Sequence, residues 1–145
     1  MGTYLVTANV NVTTDALDRQ VGWIDGYQEG HQVATVGYFT IAAETAEQAA
    51  ERMYDIGNGH AFDDYGQTWP FDVRSMCIGD VLYLAEGDEH ETRSVDILAV
   101  DRAGFRPVPQ PTNRCQVLLG GTVATSRPAE APSALRLAVE AAEGR

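Results

Sequence analysis

A helical hydrophobic period recurs cleanly in one place before the C-terminal tail, and its position decides what class of fold this chain can adopt. Thr45 is a good N-cap, and Gln48 three residues on completes a capping box. Ala46, Ala49, Ala50, Met53 and Gly57 then follow the i, i+3, i+4 spacing of one buried face, and Gly57-Asn58-Gly59 supplies a left-handed stop. The small residues on that face predict a helix lying close against a sheet.

Strand signals surround this helix. Residues 3–13 alternate, with Tyr4, Val6, Ala8, Val10 and Val12 on one face and mostly Thr and Asn on the other, which predicts a half-buried strand. Residues 14–31, with Gly22, Gly26 and Gly30, read as a loop with a short helical turn at 15–20. A second strand over Gln32–Ala42 should pair antiparallel with the first. After a loop at 60–73 come strands over Met76–Ala85 and Thr92–Val100, a tight turn at 101–104 with Gly104 in a positive-φ position, an edge strand from Phe105 to Val108 among prolines, and a last strand over Cys115–Leu119. Residues 126–132 read as a linker and 133–143 as a short helix. The order strand, strand, helix, then strands predicts an α+β fold. Its sheet is mostly antiparallel, curved and barrel-like, packed with one main helix, and a short C-terminal helix follows. The expected division is one domain over 1–121 and a linker with a helical tail over 122–145.

Composition narrows the function classes. Twenty-one acids against ten bases give a net charge of −11, and every base is arginine. Such a chain repels a polyanion, so direct nucleic-acid binding is disfavoured. An acidic surface suits solubility, a basic protein partner, or imitation of a nucleic acid. Absent lysine with abundant Ala, Val and Gly is how a GC-rich genome writes proteins, which points to a high-GC bacterium or its phage. No apolar run approaches the roughly 18 residues that cross a bilayer, and no signal-peptide pattern opens the chain, so a cytoplasmic location without membrane contact is expected. Cys77 and Cys115 have no metal spacing and read as reduced thiols.

Between Ala42 and Val108 stand the helix Ala46–Asn58, Trp69-Pro70, the octapeptide Arg74-Ser75-Met76-Cys77-Ile78-Gly79-Asp80-Val81, and Gly104-Phe105. In these residues the stretch resembles small proteins of actinobacterial phages and plasmids, the YodL-type domain of mobile elements. Cys77 stands where that motif has serine, and residues 9–32 look like an insertion. The resemblance implies a phage or plasmid origin and a role in managing the host. Physically, Gly79-Asp80 makes a tight entry into a strand, with Asp80 bonding nearby backbone amides and Arg74 pairing with Asp72 or Asp80. A folding role for Arg74, Ser75, Gly79 and Asp80 outweighs an active-site role.

Assembled chemistry is lacking. His31, His60 and His90 form no metal motif, and no nucleotide loop or nucleophile elbow is present. His60, Asp63 and Asp64 are spaced to hold a hard metal, but adjacent loop carboxylates ordinarily just solvate their loop. No catalytic residue, metal or cofactor is therefore assigned. Two features suit partner binding instead. Phe62, Tyr65, Trp69 and Phe71 put more aromatic area on one loop than a solvated loop needs, and are either core caps or anchors for a partner; Trp23 and Tyr27 pose the same alternative. Glu44, Glu47, Glu51 and Asp55 fall opposite the buried helix face, and read first as an ordinary solvated face and second as an acidic stripe that Glu86, Asp88, Glu89 and Glu91 would extend. The resulting expectation is a non-enzymatic accessory protein that binds a basic host protein through Glu44, Glu47, Glu51, Asp55, Phe62, Asp63, Asp64, Tyr65 and Trp69, by counter-defence or nucleic-acid mimicry. The alternatives are a small enzyme or ligand module with a pocket near Arg74, Ser75 and Asp80, and a self-assembling protein such as a homodimer.

Overall fold

The computed structural model describes residues 2–87, 92–119 and 122–123. Strand β1 (Gly2–Asn11) lies at the middle of the sheet and is covered on both faces from Tyr4 to Asn11. This corrects the half-buried expectation: Leu5, Thr7, Asn9 and Asn11, on the supposedly solvated face, are 6, 4, 0 and 2% exposed. The two asparagine side chains are carried there by hydrogen bonds, whereas the Thr7 hydroxyl is buried without a partner among the described residues. Asn9 donates to Val81 O and accepts from the Thr35 hydroxyl at 2.8 Å, as buried amides must.

The full strand order is β5-β4-β3-β1-β2-β6-β7, and the sheet curls into a half-barrel. β2 (Val33–Ala43) and β3 (Val81–Gly87) flank β1, both antiparallel, and the β2 ladder shifts register between Ala8 and Asn9. β4 (Thr92–Asp101) and β5 (Gly104–Pro107) continue the meander to one edge. There Pro107 and the Gly104 turn, at φ +118°, sit as the residue pattern predicted. β6 (Arg114–Leu119) returns to pair parallel with β2, and β7 (Thr122–Val123) pairs antiparallel with β6. β7 therefore lies past the expected domain boundary. The linker at 126–132 and the helix at 133–143 fall outside the described residues.

Helix α2 (Ala46–Gly57) forms where its capping residues require. The Thr45 hydroxyl accepts the Gln48 amide at 3.1 Å, while the Gln48 side chain reaches back to the Glu44 amide rather than to Thr45. At the other end Gly59, at φ +78°, and His60 send their amides back to Ile56 O and Asp55 O. Ala49, Ala50, Met53 and Ile56 are fully buried against Tyr4, Val6, Ala8, Phe39, Ile41, Leu82 and Leu84. The alanines permit the close approach, and Gly57 tightens it further: a Cβ there would stand 2.6 Å from Met76 Cβ.

Two boundaries move. Met76–Ile78 are apolar enough to resemble a strand start, yet Cys77–Asp80 is a turn, closed by the Asp80 amide on Cys77 O and by Gly79 at φ +96°. Helix α1 (Gly22–Asp25) replaces the turn expected at 15–20, where Thr14 instead bridges to Gln20. The Asp15 carboxylate takes the Leu17 and Arg19 amides there, stabilising a loop in competition with a helix. Among the described residues, no helix is long and apolar enough to cross a membrane.

Candidate functional site: a pinned aromatic loop beside an acidic helix

The loop at 60–73 is fastened to the edge of β2 by its two aspartates. Asp63 is 2% exposed. Its oxygens accept the amides of Tyr65, Gln67 and Thr40 at 2.8–3.0 Å. The Asp64 amide donates to Thr40 O, and its carboxylate takes the Ala42 amide at 2.7 Å. The pair thus occupies strand-edge groups that would otherwise be open to another chain. Arg52 of α2 completes the brace, donating to Ala42 O at 2.9 Å and to Asp64 at 3.2 Å. Asp63 and Asp64 act here as backbone clamps; among the described residues no group of three potential ligands is arranged to hold a metal.

The aromatic side chains of this loop divide. Trp69 turns inward, stacks on Phe39 with ring centroids 6.2 Å apart, and donates its indole N–H to Arg74 O at 3.0 Å. It belongs to the core cap. Phe62, Tyr65 and Phe71 face outward at 63, 84 and 100% exposure. Covering an aromatic of that kind is worth roughly 1.5–3 kcal/mol, which the isolated chain leaves unrealised. The Asp64–Arg52 pair sets the loop against α2, whose Glu47, Glu51 and Asp55 are all exposed, with Glu44 just before its cap. Three exposed aromatics thus stand on a pinned loop beside an acidic helix face. Of the second acidic group, Glu86 is half-buried at the end of β3; residues 88–91 lie outside the described residues.

A second construction gathers around the octapeptide. Arg74 and Asp80 form a bidentate pair at 2.7 and 2.9 Å, with Asp80 fully buried. Asp80 also accepts the amides of Asn11 and Cys77, both at 2.8 Å, while Arg74 donates to Asn11 O, Ser75 O and Cys77 Sγ. Burial pushes the Asp80 carboxyl up from its ordinary value, against the pull of Arg74 and the two amides. Burial also opposes charge on Arg74, but Asp80 wins there and raises it. Four N–H donors directed at two oxygens leave no place for a proton, so the geometry favours the charged pair. Ser75 is exposed and contributes only its carbonyl.

This knot is the seat of the 14–31 segment. Gly22 packs against the Gly79 backbone and the Asn11 side chain. Asn11 Nδ2 donates to Gly79 O at 3.2 Å and lies 3.0 Å from His31 Nδ1. From the far edge of the sheet Arg102 donates to Ile24 O, and Arg106 to Tyr27 O. Tyr27 is accordingly buried, whereas Leu17, Trp23 and Ile24 are exposed at 71, 55 and 65%. Sequence reasoning marked the octapeptide but missed that it receives the 14–31 segment. Gly22 and Gly79, two glycines far apart in the chain, were the available signal.

Cys77 closes one side of the knot. Its thiol is pushed up to about 11, chiefly by burial and further by the Asp80 charge, with Arg74 and the Trp23 indole opposing. A thiol reacts as its thiolate. Alkylation of the native protein by iodoacetamide at pH 8 is therefore expected to be many-fold slower at Cys77 than in urea. Equal rates would mean the knot is open in solution.

No family model matches the chain, and neither a curated protein nor a solved structure matches it.

Proposed function

We propose that this chain is a binding module that grips a protein with a basic, pocketed surface through Phe62, Tyr65 and Phe71 flanked by the acidic face of α2. One observation carries the reading: three large aromatics stand in solvent on a loop whose backbone is fixed by Asp63, Asp64 and Trp69. Pre-ordering the anchors lowers the entropy lost on binding. The charge of −11 favours a basic partner over a second copy, since two acidic faces repel. Arginine placement agrees. Arg19, Arg52, Arg74, Arg102, Arg106 and Arg114 each engage an acid, a carbonyl or an aromatic ring of the chain itself. That arrangement is ill suited to clamping phosphates. A host protein that binds nucleic acid has the required surface, and the mobile-element setting implied by the octapeptide makes counter-defence the natural context.

The test compares wild type with Phe62→Ser/Tyr65→Ser/Phe71→Ser and with Glu47→Gln/Glu51→Gln, each used as bait in host lysate at two salt concentrations. A specific partner should be lost to the aromatic variant, because interface aromatics contribute about 2 kcal/mol or more each. The carboxamide variant and high salt should weaken capture several-fold, as screening predicts. Capture indifferent to all three changes, or tight binding of the pure protein to DNA, refutes the reading.

A further inference from the structure

We propose that His31 is a proton-operated latch, which holds the 26–32 stretch on Asn11 only while its imidazole is neutral. Two donors converge on one ring nitrogen: Nδ1 accepts the Gln28 backbone amide at 3.2 Å and faces Asn11 Nδ2 at 3.0 Å. The Asn11 amide cannot turn its oxygen to that position. Its Oδ1 already accepts the Thr13 amide at 3.0 Å, and its Nδ2 also donates to Gly79 O. Asn11 is itself held by Asp80 on its amide and Arg74 on its carbonyl. A neutral ring protonated at Nε2 satisfies this arrangement. A doubly protonated ring places N–H against two N–H donors and loses both bonds.

The surroundings do not supply a compensating partner. Burial lowers the tendency of His31 to protonate, and Asp25 of α1 opposes that effect less strongly. The Tyr27 ring meets the imidazole edge-on at 5.9 Å. Burial raises the Tyr27 hydroxyl from its ordinary value, and the Glu29 charge raises it further. From the β5 edge Arg106 reaches Tyr27 O, and ahead of β6 the uncharged Asn113 donates to Gly30 O. Behind Asn11, Arg74 and Asp80 neutralise one another. The sign follows from linkage. A histidine harder to protonate in the folded state than in the unfolded one contributes fully above about pH 6.5, and its contribution is lost as pH falls through the lowered folded value. Release frees the segment that carries Trp23 over Cys77, so acidification should open the cap before it unfolds the sheet.

The experiment follows the imidazole nitrogens by NMR through a pH titration of the full chain, with amide exchange measured alongside. The expected pattern is a neutral ring protonated at Nε2, a midpoint below 6.5, and protection at Gln28 falling toward that midpoint by up to tenfold per pH unit below about 6.5, then levelling off, after correction for intrinsic exchange. Protection at Val6, in the centre of β1, should not change over the same range. His31→Asn keeps an acceptor near the Nδ1 position without titrating, and should hold Gln28 protection level. A midpoint at or above 6.5, protonation at Nδ1 in the neutral ring, or the same acid opening in His31→Asn overturns the latch. The first two are read on wild type and stand whether or not the variant folds.

Discussion

Replacing Asp80 with alanine is expected to lower the unfolding free energy by roughly 3–5 kcal/mol, the range for breaking one partner out of a buried ion pair. Against a domain stability of about 5–15 kcal/mol, this approaches the whole margin. The effect is large because the substitution strands several groups together. The guanidinium of Arg74 loses both bonds to the carboxylate, and the amides of Asn11 and Cys77 lose their acceptor inside the protein. Urea unfolding followed by circular dichroism measures the loss. Arg74→Met in the Asp80→Leu background removes both charges and should recover part of it, because a buried pair exchanged for apolar groups costs less than a broken one. Recovery stays incomplete, since the two amides remain unanswered. A loss under 1 kcal/mol for Asp80→Ala would show that the knot contributes no structural tension, and would return Arg74 and Asp80 to the pool of groups held ready for a ligand.

The same knot shows where the sequence was informative and where it fell silent. Periodicity and caps located α2 within a residue, because Thr45, Gln48 and Gly59 act locally and their partners lie within one helical turn. Pairing of β1 with β2 was legible for a similar reason, as two alternating segments joined by a loop. Strand β1 misled because its threonine and asparagine residues look solvated. The Asn9 and Asn11 bonds run to Val81, Thr35 and Gly79, strands or turns away, and no local pattern announces that. The aromatic loop was read as an open choice between core and surface, and the answer is both. Trp69 is drawn inward by Phe39 and a carbonyl for its N–H, and Phe62, Tyr65 and Phe71 are left outside. Asp63 and Asp64 resembled ordinary loop acids until the open edge of β2, a consequence of strand order, explained what they hold.

Gly79→Ala should separate the 14–31 segment from the sheet at a cost of about 2–5 kcal/mol, the sum expected from the left-handed backbone penalty and overpacking. Gly79 has φ +96°, and a Cβ there would lie 2.8 Å from Gly22 O and 2.9 Å from Gly22 Cα. The neighbour is main chain, so no rotamer change relieves the contact; Gly22 must back away, drawing Trp23 off Cys77 and His31 off Asn11. Gly59→Ala is the matched control. That residue is also left-handed, at φ +78°, but nothing lies within 4 Å of its missing Cβ. It should cost only the conformational penalty, about 1–2 kcal/mol. The difference between the two variants measures the close approach by itself. Its structural signature is a faster reaction of Cys77 with iodoacetamide in Gly79→Ala and not in Gly59→Ala, because only the first uncovers the thiol. If both variants cost the same and leave Cys77 equally protected, the glycine–glycine contact does not seat the 14–31 segment, and the cap must be held by its outer tethers at Arg102 and Arg106 instead.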